Sequence, residues 1–373
     1  MTAGATTSPA AGSGPVRPAG VVPETMSAAV LASFGSLELA TVPVPELSEG
    51  EVLCRVLACG ICGTDLKIVH GDFRGTWPPS LPFVIGHEWS GEVVALGPGT
   101  ERSGLAVGDR VVAENHAGCA ACPMCRAGRY NLCERVRDPG FKLYGHTAPG
   151  ALAQYAARPA VVLHKIPDEV DDAAGALVNQ GALTVHAARR VGLQAGSSAA
   201  VFGPGLLGLL MLQVARASGA TAVVVVGRGV RLETARRLGA TAVVDYEERD
   251  PVEGVRRVTG GRGVDVVFDC SGNPAVLGQA VRAVRRGGRI AVLGLSGGAL
   301  AEIPVDALAL DELDLLGIRS SPNAYPAMVS LLAAGAVRTE ELTADRFALS
   351  EIASAFDALA ERSSVRPIVL PQK

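Results

Sequence analysis

From Met26 to about Ala157 the chain alternates short apolar runs with Gly and Pro punctuation, as in "MSAAVLA", "EVLCRVLA", "SGEVVALG" and "DRVVAE". Runs of this length, rich in Val and Leu and bounded by turn residues, predict strands and a β-rich first domain. After about Gly175 the pattern changes. "SAAVFG", "AVVVVG", "AVVDY", "VDVVFDCSG" and "GRIAVLG" are nearly continuous apolar runs, and the longer stretches "GLLGLLMLQVARASG" and "VRLETARRLG" fall among them with helical character. Strands without polar alternation are buried on both faces, so this pattern predicts a parallel sheet with helices on either side. Past Gly317 the texture is mixed again. Two helices are predicted in "YPAMVSLLAAG" and "LSEIASAFDALAERS", and a terminal strand in "RPIVLP". The class is α/β, and no segment repeats.

Length and charge narrow the picture. A chain of 373 residues with this apolar content is expected to hold two domains, each with its own core. Thirty-four basic against thirty-seven acidic side chains give a net charge of −3. With no basic tract and no interleaved aromatic platform, nucleic acid is excluded as a partner. Residues 1–24, "MTAGATTSPAAGSGPVRPAGVVPE", are read as a disordered tail without the apolar core of a signal peptide. No run reaches the roughly twenty apolar residues a membrane helix needs. Eight cysteines, four of them clustered, suit a reducing compartment in which thiolates bind metal, so the cytoplasm is the expected location.

The cluster is Cys119, Cys122, Cys125 and Cys133, in the spacing CxxCxxCx7C within "HAGCAACPMCRAGRYNLCE". Gly118, Pro123 and Gly128 let the backbone fold around a point, which suits a closed tetrahedral zinc site of the structural kind. A ferredoxin-type cluster would place the fourth cysteine about three residues after the third, followed by proline, whereas here Glu134 follows a longer gap. Farther along, Gly203, Gly205 and Gly208 in "VFGPGLLGLL" match GxGxxG between a predicted strand and a predicted helix. The glycines allow a tight turn and close backbone approach, so that a pyrophosphate can sit on the helix start at Leu206, Leu207 and Gly208. At the end of "AVVVVG" an NAD site would carry Asp or Glu for the adenosine ribose, but the chain has Gly227 and then Arg228. Loss of the carboxylate and gain of a guanidinium favour the 2′-phosphate of NADP over NAD.

"CGICGTDLKIVHGDF" carries Cys62, and "PFVIGHEWSGEV" carries His87 and Glu88. Taken with the four-cysteine lobe and the downstream GxGxxG, these segments resemble the zinc-dependent medium-chain dehydrogenase/reductase family, the alcohol, polyol and threonine dehydrogenases, over essentially the whole chain after the tail. The resemblance implies that Cys62 and His87 are catalytic zinc ligands and that Thr64 passes the substrate proton. It implies that Asp65 orients the ligand histidine and that Glu88 is a near or exchangeable ligand. The family's third ligand, Cys, Glu or Asp, falls in "GALVNQGALTVHA", where Asn179 or Gln180 aligns and neither offers an anion. The histidine that often ends the proton relay is Lys67 here. Phe73 and Trp89 are read as pocket lining or plain packing, His70 is left undecided, and Gly294 and Ser296 fall at a strand end where ligands bind.

The fold the resemblance implies is a GroES-like β-rich catalytic domain, residues 25–174 plus 318–373, with a Rossmann domain of doubly wound parallel sheet, residues 175–317, inserted in it. The implied function is zinc-dependent hydride transfer between a secondary alcohol, of polyol, sugar or cyclitol type, and a nicotinamide cofactor. The alternatives are a ketone reductase of the same fold without catalytic zinc and a non-catalytic nucleotide-binding or redox-sensing protein. A homodimer or homotetramer is expected.

Overall fold

The computed structural model describes residues 22–373, so the predicted tail lies, through residue 21, outside the described residues. β1 (Thr25–Ser33) turns at Gly35, whose φ of 88° is open to glycine, into its antiparallel partner β2 (Ser36–Pro43). β3 (Glu51–Gly60) follows and leads into α1 (Gly63–His70), a helix inside the stretch read as strands alone. Then come β4 (Phe83–Val84), β5 (Glu88–Leu96), β6 (Arg110–Ala113), the one-turn α2 (Pro123–Arg126), β7 (Tyr155–Pro159) and β8 (Leu163–Lys165). β3 is the spine. It pairs with β5 on one side and with β7 and the terminal strand of the chain on the other, and its residues are almost all buried.

After α3 (Asp172–Ala176) and α4 (Val178–Arg190) the predicted alternation appears. It runs β9 (Ser198–Phe202), α5 (Leu206–Ala217), β10 (Ala222–Gly227), α6 (Val230–Arg237), β11 (Ala242–Asp245), α7 (Pro251–Val258), β12 (Val264–Asp269), α8 (Pro274–Ala283), β13 (Val284–Val292), α9 (Val305–Leu310) and β14 (Asp314–Gly317). All neighbours are parallel, in the order β11-β10-β9-β12-β13-β14. The chain starts at the centre, winds outward to one edge, then returns to the centre and winds to the other. That reversal opens a crevice beyond the carboxyl ends of β9 and β12. Successive residues serve opposite faces: Ala199, Val201, Val223, Val225 and Phe268 join one apolar cluster, and Ala200, Phe202, Val224, Val226 and Val267 the other. Helices cover both, which is why these strands carry no polar alternation.

α10 (Tyr325–Ala333), β15 (Arg346–Ala348), α11 (Ile352–Ala360) and β16 (Ile368–Leu370) complete the chain. β16 lies antiparallel to β3 with Ile368 opposite Gly60, so the last strand joins the sheet built on β3, which is separate from the three-stranded sheet of β2, β1 and β4.

The segment that carries His87 is set by contacts too close for side chains. A Cβ on Gly150 would lie 2.2 Å from the backbone C and O of Ile85, and one on Gly145 would lie 2.5 Å from the oxygen of Gly86. Across this contact Gly150 N–H donates to Val84 O and Ala151 N–H to Gly86 O. Backbone packed on backbone has no rotamer through which to yield, so Gly150→Ala is expected to cost about 3 kcal/mol in chemical denaturation. Gly63→Ala is the control. Its new methyl meets nothing within 4 Å at the exposed start of α1, and it is expected to stay within about 0.5 kcal/mol of the parent.

Candidate active site and metal centres

Cys62 is the N-cap of α1, and its backbone N–H donates to Asp65 Oδ2 at 2.8 Å. This bond locks the first turn and turns the other oxygen of Asp65 toward His87, whose Nδ1 is 3.3 Å away. Burial pushes the Asp65 carboxyl up, but the charge and hydrogen bonding of His87 and the Cys62 N–H outweigh it and hold it below its ordinary value. Burial likewise lowers His87, and the Asp65 carboxylate more than reverses that. With Nδ1 given to Asp65, His87 Nε2 is left facing Glu88 Oε1 at 3.8 Å. One donor atom each from Cys62, His87 and Glu88 lie within 4.8 Å of one another, and all three residues are buried. Thr64 Oγ1 is 3.8 Å from Cys62 Sγ.

The two residues aligned with the third-ligand position point in different directions. Asn179, on the first turn of α4, turns away: its Nδ2 donates to Tyr325 Oη at 2.9 Å and reaches the carbonyl of His87 at 3.5 Å. Gln180 faces the cluster instead, 3.8 Å from Cys62 Sγ, and its Nε2 donates to Glu88 Oε1 at 2.7 Å. The carboxylate in this cluster is Glu88, next to His87 in sequence. Gly60, opposite Glu88 across the β3–β5 pair, leaves room for it, since a Cβ there would stand 3.3 Å from Glu88 Oε2. Arg366, just before β16, closes the far side with its Nε 3.5 Å from Glu88 Oε2 and a hydrogen bond to Ile61 O.

Two aromatic side chains that sequence reading passed over flank the cluster. The His146 ring lies 4.6 Å from that of His87 and 4.8 Å from that of Trp77, which in turn meets Phe73 at 4.9 Å. Burial first, and then the neighbouring His87, push His146 down to about 3, so it is neutral. Its signal was thin: one His before a Gly/Pro turn, on a loop brought to His87 only by the glycine contacts above. Trp89, by contrast, lies in the core, with the guanidinium of buried Arg158 5.4 Å from its ring. Lys67 is half-buried and His70 exposed, both on α1, and neither belongs to the group formed by Cys62, His87 and Glu88.

The four cysteines form a second centre. Cys122 is the N-cap of α2 and Cys133 ends the one-turn 3-10 helix Tyr130–Leu132. All four sulfurs lie within 4.8 Å of one another and none is in a disulfide. Cys119 and Cys125 are 3.9 Å apart, close to the roughly 3.8 Å that two thiolates on a tetrahedral zinc require. The backbone N–H groups of Cys122 and Ala121 lower the Cys119 thiol to about 6, which favours the thiolate a metal needs. A Cβ on Gly118 would lie 2.5 Å from Cys125 Sγ and 2.7 Å from Tyr130 Cβ, so the loop closes this tightly only with glycine there.

In the nucleotide crevice each glycine has a separate task. Gly203 takes a φ of 94°, and Gly208 sits so near the turn that a Cβ would be 2.0 Å from Gly203 O. Gly205, the N-cap of α5, has neither a side-chain cap nor any atom within 4 Å of a built Cβ. The result is a helix start at Leu206, Leu207 and Gly208 with uncapped backbone donors and open space before it, which fits a pyrophosphate. Gly227 packs against Pro204, where a Cβ would be 2.3 Å from Cδ. Arg228 is exposed and donates to Glu247 Oε1 at 2.7 Å. Gly294 adjoins Gly272 so closely that a Cβ would be 2.2 Å from its nitrogen, and Ser296 is exposed on the loop beyond.

Residues 48–168 match the family model described as alcohol dehydrogenase GroES-like domain, and residues 207–334 the one described as zinc-binding dehydrogenase. A sorbitol dehydrogenase of Bacillus subtilis (strain 168) is 37% identical over 337 residues, 90% of this chain and 94% of its own. An erythritol/L-threitol dehydrogenase of Mycolicibacterium smegmatis is 32% identical over 364 residues, 94% of this chain and 99% of its own. Among solved structures, a zinc-binding dehydrogenase of Sinorhizobium meliloti 1021 bound to NADP matches with a TM-score of 0.86 at 33% identity, covering 94% of this chain and 100% of that one.

If both donor sets hold zinc, elemental analysis of the purified protein is expected to find two zinc ions per chain, and Cys62→Ser one. Glu88→Gln is expected to keep the lobe zinc and weaken the other by about 10–100-fold in a chelator competition. A wild type with a single zinc that Cys62→Ser retains would show that the Cys62 cluster holds none.

Proposed function

Given that the chain belongs to the zinc-dependent medium-chain dehydrogenase/reductase family, we propose how it works as an oxidoreductase that moves a hydride between a secondary alcohol and a nicotinamide cofactor. The observation that carries this reading is the convergence of Cys62, His87 and Glu88 beside the Thr64 hydroxyl. A zinc ion held there would supply a Lewis acid that lowers the pKa of a bound alcohol, and a nicotinamide cofactor would supply the hydride acceptor or donor. The chain's residues do the rest. Cys62 and His87 hold the cation, and Asp65 fixes the tautomer of His87 so that Nε2 is free to coordinate. Glu88 supplies the negative charge that neither Asn179 nor Gln180 offers. Thr64 would relay the proton of the substrate hydroxyl, taking it on its oxygen while its own proton leaves toward solvent. Gly203, Gly205 and Gly208 and the start of α5 seat the pyrophosphate.

The substrate is of polyol type. Relatives named as sorbitol and erythritol/L-threitol dehydrogenases support it, as does a site wall that carries the neutral imidazole of His146 among its aromatics. The cofactor is NADP rather than NAD, because no carboxylate stands at the end of β10 and Arg228 follows at once. The NADP bound by the Sinorhizobium relative supports the same choice. The division into a catalytic domain, 25–174 and 318–373, and an inserted dinucleotide-binding domain, 175–317, goes with this reading. So does a cytoplasmic location; among the described residues no helix is long and apolar enough to cross a membrane.

The partner is a second copy of the chain. β14 is the edge of the parallel sheet, and Leu295, Leu300, Val305, Leu310 and Leu315, all exposed, fall within twenty-one residues around it. An open strand edge bordered by apolar side chains is complementary to itself across a two-fold axis.

Two measurements test these points. Screening polyols and keto-sugars with both cofactors by nicotinamide absorbance is expected to show turnover in the wild type that Cys62→Ser reduces by at least about a hundredfold. Arg228→Ser is expected to lower the ratio of kcat/KM for NADPH over NADH by about tenfold. Turnover unchanged in Cys62→Ser would favour a reductase working without catalytic zinc, and an unchanged cofactor ratio would show that Arg228 is only a surface partner of Glu247. Light scattering is expected to give twice the chain mass for the wild type and a monomer for Leu310→Glu; a wild-type monomer would remove the dimer.

A further inference from the structure

Between Gly317 and Tyr325 the chain leaves the parallel sheet and re-enters the catalytic half, and Ser320 and Asn323 hold left-handed backbone on the way, with φ of 51° and 57°. Non-glycine residues stay in that region only where their surroundings hold them. What holds this stretch is the four-cysteine lobe, together with Arg189 of α4, whose guanidinium donates to Asn323 O at 2.8 Å. Asn131 Nδ2 donates to Arg319 O at 2.8 Å, Asn323 Nδ2 to Gly128 O at 2.9 Å, and Asn323 N–H to Tyr130 Oη at 2.8 Å. Tyr130 is itself fixed in the lobe, against Gly118 and three residues before Cys133.

From Tyr130 the contacts continue inward without a gap. Its hydroxyl donates to the Glu114 carboxylate, 2.8 and 3.0 Å from the two oxygens, and the same carboxylate accepts from His164 Nε2 at 2.9 Å. The His164 ring stacks on that of Tyr325 with centroids 5.1 Å apart and planes at 26°. Tyr325 Oη accepts from Asn179 Nδ2, which also reaches the carbonyl of His87. Glu114, Tyr325 and His87 are buried and Tyr130, His164 and Asn179 partly so, and each of these bonds has one partner shielded from water.

We propose that the four-cysteine lobe is a positioning device for the reactive centre. Tyr130 and Asn323 pin the crossover 319–325 to the lobe, and Tyr325 and Asn179 pass that constraint to His87 and to the first turn of α4, where Gln180 holds Glu88. Tyr130, Asn323, Tyr325 and Asn179 are positioning residues that act through His87 and Glu88. The proposal rests on reading Cys62, His87 and Glu88 as the reactive centre.

The test compares wild type, Tyr130→Phe, Asn179→Ala and the double variant, full length and zinc-loaded. It reads amide hydrogen exchange and the rate at which a chelator removes each zinc. Tyr130→Phe is expected to keep the lobe zinc at the wild-type rate, to raise exchange about tenfold over 319–325 and 178–181, and to release the Cys62 zinc about tenfold faster. The double variant is expected to release it no faster than Asn179→Ala alone, since both substitutions cut one chain of contacts. Asn323→Gly, which keeps the positive φ and deletes only the carboxamide, is expected to loosen 319–325 in the same direction. Wild-type exchange over 178–181 in Tyr130→Phe, or fully additive effects in the double variant, would overturn the proposal. A wild type with only the lobe zinc would instead sink the reading of the reactive centre, while exchange over 178–181 still decides the coupling.

Discussion

Two carboxylates, an imidazole, a thiol and a guanidinium share one buried point: Asp65, His87, Glu88, Cys62 and Arg366 are all less than a tenth exposed. Burying charge is costly unless partners neutralise it, and in this cluster only Arg366 is permanently positive. Arg366 faces Glu88 from the side away from His87, and Asp65 is held by His87 and the start of α1. A divalent cation among Cys62, His87 and Glu88 would take the place of the proton on His87 as the second positive charge of the cluster. The surrounding architecture serves this point. β16 returns from the far end of the chain to place Arg366, and the glycines at 60, 86, 145 and 150 let backbones approach closely enough to aim His87 and Glu88.

The cofactor crevice is organised by a different constraint. There the requirement is an uncapped helix start at the point where the parallel sheet reverses its winding. A helix start with free backbone donors can take an anion without a charged side chain in that turn, and its signature is glycine alone. The two sites meet through α4. Its first turn holds Gln180 against Glu88, and its apolar face belongs to the same buried cluster as α5. The four-cysteine lobe adds a rigid corner that reaches the crossover 319–325.

What could be read from the sequence followed from how local each requirement is. Continuous Val runs between helices announce the parallel sheet, because burial on both faces is written into every residue of β10 and β12. Gly203, Gly205 and Gly208 stand out for the same reason: each answers a steric demand within its own turn. Cys119 to Cys133 lie close in sequence because the lobe folds on itself. α1 was missed because eight residues inside a strand-rich stretch carry little periodicity, and its cap is a cysteine with Asp65 three residues later. His146 and Trp77 reach His87 only through backbone contacts far apart in the chain. The choice between Asn179 and Gln180 was equally out of reach, since it depends on Tyr325, nearly 150 residues away, drawing one carboxamide to itself.

Anomalous diffraction from crystals of the untreated protein, recorded on either side of the zinc absorption edge, tests the central claim most directly, because it locates the metal as well as identifying it. The account predicts two peaks per chain, one enclosed by Cys119, Cys122, Cys125 and Cys133 and one among Cys62, His87 and Glu88 with Asn179 turned away. A single peak in the lobe, with ordered but metal-free side chains at Cys62, His87 and Glu88, would contradict it.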